Sequence, residues 1–238
     1  MAEAGAIGVG MNDIPLKLIS VALVILSASL HEFGHAFAAY RCGDPTAKEQ
    51  GRLTLNPLAH IDPFGSVLLP VLLVLSGMGY IAYAKPVPYN PNRLKNPKRD
   101  EVIVAFAGPI ANILQAVVGA IVFRILDAQL SAGNTVLVDS FRAGGWAFWL
   151  MQVLYIYISV NCSLAFFNLL PIPPLDGSSI ISPLLSGEAR RTYYQVQRYA
   201  LPITLGLIWL LPRFTGINPI GWWFSITADP LFNLLIGR

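Results

Sequence analysis

Residues 14–40 read IPLKLISVALVILSASLHEFGHAFAAY, and this stretch decides both the fold class and the chemistry. Lys17 is its only charge before His31. A run this long and this apolar spans a bilayer as one helix. Its last third carries His31-Glu32-Phe33-Gly34-His35. Histidines four apart on a helix project from one face, where two imidazole nitrogens meet a single metal ion. Glu32 then lies about 100° around the same turn, within reach of an activated water without being a ligand itself. Arg41 marks the membrane exit, which puts the pair below one surface rather than at mid-bilayer. Two histidines are not yet a site, because a hydrolytic zinc takes a third protein ligand and keeps one position open.

Composition extends the membrane reading to the whole chain. Its 238 residues are 55% hydrophobic and 12% charged, about half the charged share of an ordinary soluble domain. The expected class is therefore an all-α membrane protein, a polytopic transmembrane bundle of roughly five or six helices in one domain, 1–238. The net charge of +3 reflects basic loops. No basic stretch is interleaved with aromatics, so nucleic acid is not an expected partner. Cys42 and Cys162 lack any thiol-ligand spacing and read as packing residues. The first residues lack the charged start of a cleaved signal peptide, so the first apolar segment is expected to stay in the mature protein.

Further apolar stretches run over 64–84, 102–123, 143–175, 199–211 and 214–237. Between them, residues 85–100 carry Lys85, Arg93, Lys95, Lys98 and Arg99, the densest basic cluster. That loop and the basic segment 187–198 are placed on the cytoplasmic side, and the basic-poor loop 124–142 outside. With the first helix also ending inside, 64–84 cannot be a simple span. Pro70, Gly77 and Gly79 fit a re-entrant hairpin or pair of half-spans, tolerated where it packs on protein or lines a wet cavity. A plain span with another assignment changed is the alternative. In the polar stretch 41–63, residues 51–55 alternate like a short strand, an expected β element. No internal repeat of the transporter kind is visible.

An ionisable group at membrane depth is a functional candidate because burying it is costly. Asp176 closes the uncharged stretch 143–175, in NLLPIPPLDG. The topology puts it on the same side as His31 and His35. It reads either as the third metal ligand or as a cap on the helix that starts at Gly177.

Three blocks together carry a resemblance. They are His31-Glu32-x-x-His35, then Ala107-Gly108-Pro109-Ile110-Ala111-Asn112, then Asn168-Leu-Leu-Pro171 running into Leu175-Asp176-Gly177. In this order the chain resembles the site-2 protease family of intramembrane zinc metalloproteases, over residues 31–177. The resemblance implies one Zn²⁺ per chain held by His31, His35 and Asp176, with Glu32 as general base and acid. It also implies that Asn168 lines the active site and polarises the scissile carbonyl, against the plainer reading of an interhelical hydrogen bond. Gly108, Pro109 and Asn112 read as structural, letting helices approach and bonding backbone across the contact. His60, beside Asp62, reads as a solvated loop histidine in preference to a gating pair. Loop 124–142 is too short for the PDZ domain of some relatives, and no CBS domain is expected after 199–237.

The expected partners are therefore the lipid bilayer and a transmembrane-segment protein substrate, in a multi-pass cell-membrane protein whose site lies near the cytoplasmic face. Residues 51–55 are the candidate edge for pairing with an unwound substrate. A polytopic metal transporter and a non-catalytic membrane scaffold are the competing classes. Neither needs Glu32 beside His31. Nothing in the sequence reads out the oligomeric state or the substrate's identity.

Overall fold

The computed structural model describes residues 14–68, 84–197, 199, 203–204, 206 and 210–238. All regular structure among them is helical. The first apolar segment is a helix, α1 (Ile14–Arg41). A short helix, α2 (Thr46–Glu49), and a 3-10 turn at Pro57–Ala59 follow. Pro63–Leu68 forms a π-helical stretch. The expected re-entrant element at 64–84 otherwise lies outside the described residues. Then come α3 (Pro97–Ser131), α4 (Thr135–Arg142) and α5 (Trp146–Asn168). Short helices complete the chain: α6 (Asp176–Ile181), α7 (Gly187–Gln197), α8 (Leu211–Thr215), α9 (Pro219–Ile226) and α10 (Ala228–Ile236).

Three of these helices are long and apolar enough to cross a membrane: α1, α3 and α5. They pack on one another and form the body of the structure. Lipid supplies no hydrophobic force between such helices, so their approach depends on small residues and polar contacts. Both are present. A side chain at Gly34 of α1 would put its Cβ 2.7 Å from the Ala107 carbonyl of α3, and one at Gly119 would press on Tyr157 of α5 at 3.0 Å. Ser27, Asn112 and Asn161, one on each helix, are fully buried in the seam.

Several boundaries differ from the sequence expectation. The second span runs over 97–131 rather than 102–123. Pro97 sits in its first turn, and the Asp100 carboxylate accepts the Asn96 N–H at 2.8 Å, a self-made start that the charge count had assigned to a loop. The loop expected over 124–142 is mostly helix, the end of α3 followed by amphipathic α4. Residues 51–55 are bends and not a strand. Gly51 takes a left-handed φ of +66° and the Arg52 N–H bonds the Ala47 carbonyl at 2.8 Å, so the backbone there closes off α2 and offers no extended edge. The last apolar stretch, 214–237, is broken into α8, α9 and α10. Gly216 and the Asn218 side chain, which accepts the Gly221 N–H at 2.8 Å, divide it.

The polar segments gather at the C-terminal end of α1. Asp44 is the joint: its carboxylate accepts from the Thr46 N–H and hydroxyl and from the Asn90 N–H of the extended segment 84–90. Burial alone would raise its pKa, but these donors and Arg93 hold it below the ordinary carboxylate range. His60 is fully buried, not solvated as expected. Its Nε2 bonds the Thr54 carbonyl at 3.0 Å, and its own carbonyl accepts the Lys85 N–H at 2.8 Å, tying 54–60 to 84–90. α9 and α10 lie along α5, where Trp223 Nε1 donates to the Phe166 carbonyl at 2.9 Å and Tyr155 meets Phe232 edge-on at 5.0 Å.

Candidate active site

The site is built on one turn of α1. His31 and His35 face α3, with ring centroids 4.6 Å apart and Nε2 atoms 3.0 Å apart. Gly108 makes room for them: a Cβ there would fall 2.6 Å from His31 Cε1. Each imidazole is fixed from behind. His35 Nδ1 lies 2.7 Å from the Val104 carbonyl, which only accepts, so Nδ1 carries the proton and Nε2 a lone pair. His31 Nδ1 lies 2.5 Å from Asn112 Oδ1 and is placed the same way.

Asp176 arrives from the far side of α5. After Asn168 the chain leaves the helix through 169–175 and re-enters at α6, whose first residue is Asp176. Gly177 permits this, since a Cβ would run into the Leu169 and Leu170 carbonyls. Asp176 Oδ2 lies 3.0 Å from His31 Nε2, and Oδ1 lies 3.2 Å from His35 Nε2. Both Asp176 oxygens thus face imidazole nitrogens.

Ligand atoms of His31, His35 and Asp176 all lie within 4.8 Å of one another. Two imidazole Nε2 atoms and a carboxylate converging on one point are a donor set for a cation. Three ligands around one tetrahedral zinc stand about 3.3 Å apart for bonds of roughly 2.0 Å, so the residues fit that metal.

Glu32 points elsewhere on the same turn. Its Oε2 accepts the Val87 N–H at 2.7 Å, from the extended segment between Pro86 and Pro88. Asn168 ends α5, and its Nδ2 donates to the Leu164 carbonyl at 3.0 Å. The structure thus brings together His31, His35 and Asp176, sets Glu32 beside them, and records Asn168 on its own helix. Sequence reasoning missed two participants. Asn112 reads in the sequence as a structural bond to backbone, yet it bonds His31, and Val87 acts through its backbone, which leaves no trace in residue type.

Residues 19–211 match peptidase family M50. The chain is 38% identical over 221 residues to YwhC of Bacillus subtilis, named as a candidate zinc metalloprotease, covering 92% of this chain and 89% of that protein. It is 31% identical over 199 residues to Rip2 of Mycolicibacterium smegmatis, named likewise, covering 82% of this chain and 70% of that one. Zinc metalloprotease MJ0392 of Methanocaldococcus jannaschii is 24% identical over 212 residues, 88% of this chain and 47% of its own length. No solved structure gives a significant match. The chain belongs to peptidase family M50, the site-2 protease family, and is a zinc metalloendopeptidase of the multi-pass membrane class.

Proposed function

We propose that this metalloprotease hydrolyses peptide bonds within the transmembrane segments of membrane-anchored proteins, as one protease domain over 1–238. The observation that carries the reading is the meeting of His31, His35 and Asp176 within 4.8 Å on helices apolar enough to span a bilayer. Those three residues hold one zinc. Bound there, the metal supplies Lewis-acid activation of water and of the scissile carbonyl.

The chain's own groups do the rest. Glu32 accepts the proton of the attacking water and later delivers it to the leaving amine. Val87 N–H occupies Glu32 Oε2 and leaves Oε1 for that proton. Asn168 keeps a second amide N–H besides the one given to Leu164, and this donor polarises the scissile carbonyl as negative charge grows on it. A peptide bond in a regular helix is shielded by its own hydrogen bonds, so the substrate segment unwinds before it is cut. The metal site lies near the end of α1 that carries the basic loop, which supports a cytoplasmic-side active site and water entry from that face.

The test is zinc content by elemental analysis on detergent-purified wild type, Asp176→Ala and Glu32→Gln, with cleavage of a model transmembrane substrate in parallel. The expected result is about one zinc per chain, reduced in Asp176→Ala and retained in Glu32→Gln, with cleavage lost in both. Zinc unaffected by Asp176→Ala would remove the third ligand. Undiminished cleavage by Glu32→Gln would remove the general base.

A further inference from the structure

The deepest polar feature of the bundle lies behind the metal ligands. Ser27 of α1, Asn112 of α3 and Asn161 of α5 are each 0% exposed. Asn161 belongs to none of the three sequence blocks. Buried amides in a helix seam are generally glue, but here the bonds have a direction. Asn161 Nδ2 lies 2.9 Å from the Tyr157 carbonyl and 3.0 Å from Ser27 Oγ. A backbone carbonyl only accepts, so the atom facing it is the NH₂ group. Asn161 Oδ1 is thereby turned to Asn112, whose Nδ2 donates to it at 2.9 Å. Asn112 Oδ1 is then turned to His31 Nδ1 at 2.5 Å. Only a protonated Nδ1 answers an oxygen, which leaves His31 Nε2 with its lone pair toward Asp176 and His35.

We infer that Asn161 is a positioning residue for the metal site: it fixes the orientation of the Asn112 amide and through it the His31 tautomer that binds zinc. An amide without this anchor turns over at little cost. Its NH₂ then faces His31 Nδ1, moves the imidazole proton to Nε2 and removes the lone pair the metal needs. The other hold on Asn112 Nδ2 is the Ser27 carbonyl at 3.4 Å, long for a hydrogen bond. The inference rests on His31, His35 and Asp176 being the zinc ligands.

The test is zinc affinity by competition with a chromophoric chelator, using the detergent-purified full chain. Asn161→Leu keeps the branched shape and removes all three side-chain hydrogen bonds. Its affinity is expected to fall about tenfold or more, the range for a lost partner of a metal-binding histidine. The double variant Asn112→Asp with Asn161→Leu is expected to regain most of the loss, because a carboxylate has no NH₂ to present to His31 whichever way it turns. Packing damage would not be repaired by that second change. Asn161→Asp, whose buried carboxyl in its neutral form gives its O–H to the Tyr157 carbonyl and keeps an oxygen to accept from Asn112, is expected within about threefold of wild type and stands in if Asn161→Leu does not fold.

Wild-type affinity in Asn161→Leu overturns the proposal. So does a loss the double variant leaves unrepaired, or a loss in Asn161→Asp as large as in the leucine variant. A wild type that takes up no zinc would overturn the metal site as well, whereas zinc-loaded wild type with an unaffected Asn161→Leu sinks the positioning role alone.

Discussion

The two ends of the helix bundle treat their buried side-chain amides in opposite ways. Around His31, the amides of Asn112 and Asn161 find partners of the right sense on three helices. At the far end, Gln152 of α5 is 1% exposed and neither its Nε2 nor its Oε1 has a partner. It lines a cavity of about 530 Å³ together with Phe123, Asp127, Arg142, Phe148, Tyr155 and Arg238. A satisfied network holds one geometry, whereas an unpartnered amide costs free energy and holds nothing in place. The metal end thus holds its amides in one orientation, and the far end leaves Gln152 without one.

Substitutions that cross this division should separate zinc binding from stability. The largest effect is expected at Gly108→Val, where a β-branched side chain enters the space of His31 and His35. Zinc uptake and cleavage should both fall by about a hundredfold or more, while the helical circular dichroism of the purified protein stays that of wild type. Near-normal zinc content would mean that α3 can move away from α1, and the tight seam would not be a requirement.

Val87→Pro is expected to act next. Val87 lies between Pro86 and Pro88, and a third proline there deletes the N–H that holds Glu32 Oε2 while keeping an apolar side chain of similar size against Ala36, Ala47 and Leu53. Cleavage should fall about tenfold with zinc content unchanged, in keeping with the loss of one hydrogen bond to a charged group. A rise in cleavage would instead mark the Val87 contact as a restraint on Glu32.

The smallest effect is expected at the far end. Gln152→Leu replaces the unpartnered amide with an apolar group of similar size, so the melting temperature in detergent should rise by a few degrees, about 1–3 kcal/mol, with zinc affinity and cleavage unchanged. A drop in stability would show that Gln152 has a partner in the membrane and that the two ends differ less than their hydrogen bonds indicate.

Much of the site was legible because its chemistry is local. His31, Glu32 and His35 share one helical turn, and Asp176 stands out as the first charge after a long uncharged stretch. The membrane class follows from composition, and the C-terminal limit of α1 from its apolar run ending at Arg41. Other features were illegible for physical reasons. The start of α3 hides among charged residues because Asp100 caps its own helix. Residues 51–55 alternate like a strand, yet a strand needs a neighbour, and Gly51 turns the chain back on α2. His60 looked solvated because a loop histidine is usually so, while its burial depends on the distant segment 84–90 closing over it.

The sequence by itself determined the environment and singled out the histidine pair, the neighbouring glutamate and a carboxylate at matching depth, since each depends on residue type, helical period or hydropathy. Only the tertiary structure decided which groups hold them. Asn112, Asn161 and the Val87 N–H act across long stretches of chain, and the sense of each hydrogen bond exists only once three helices have come together. A sequence states which donors and acceptors a chain owns. Packing decides which way they face.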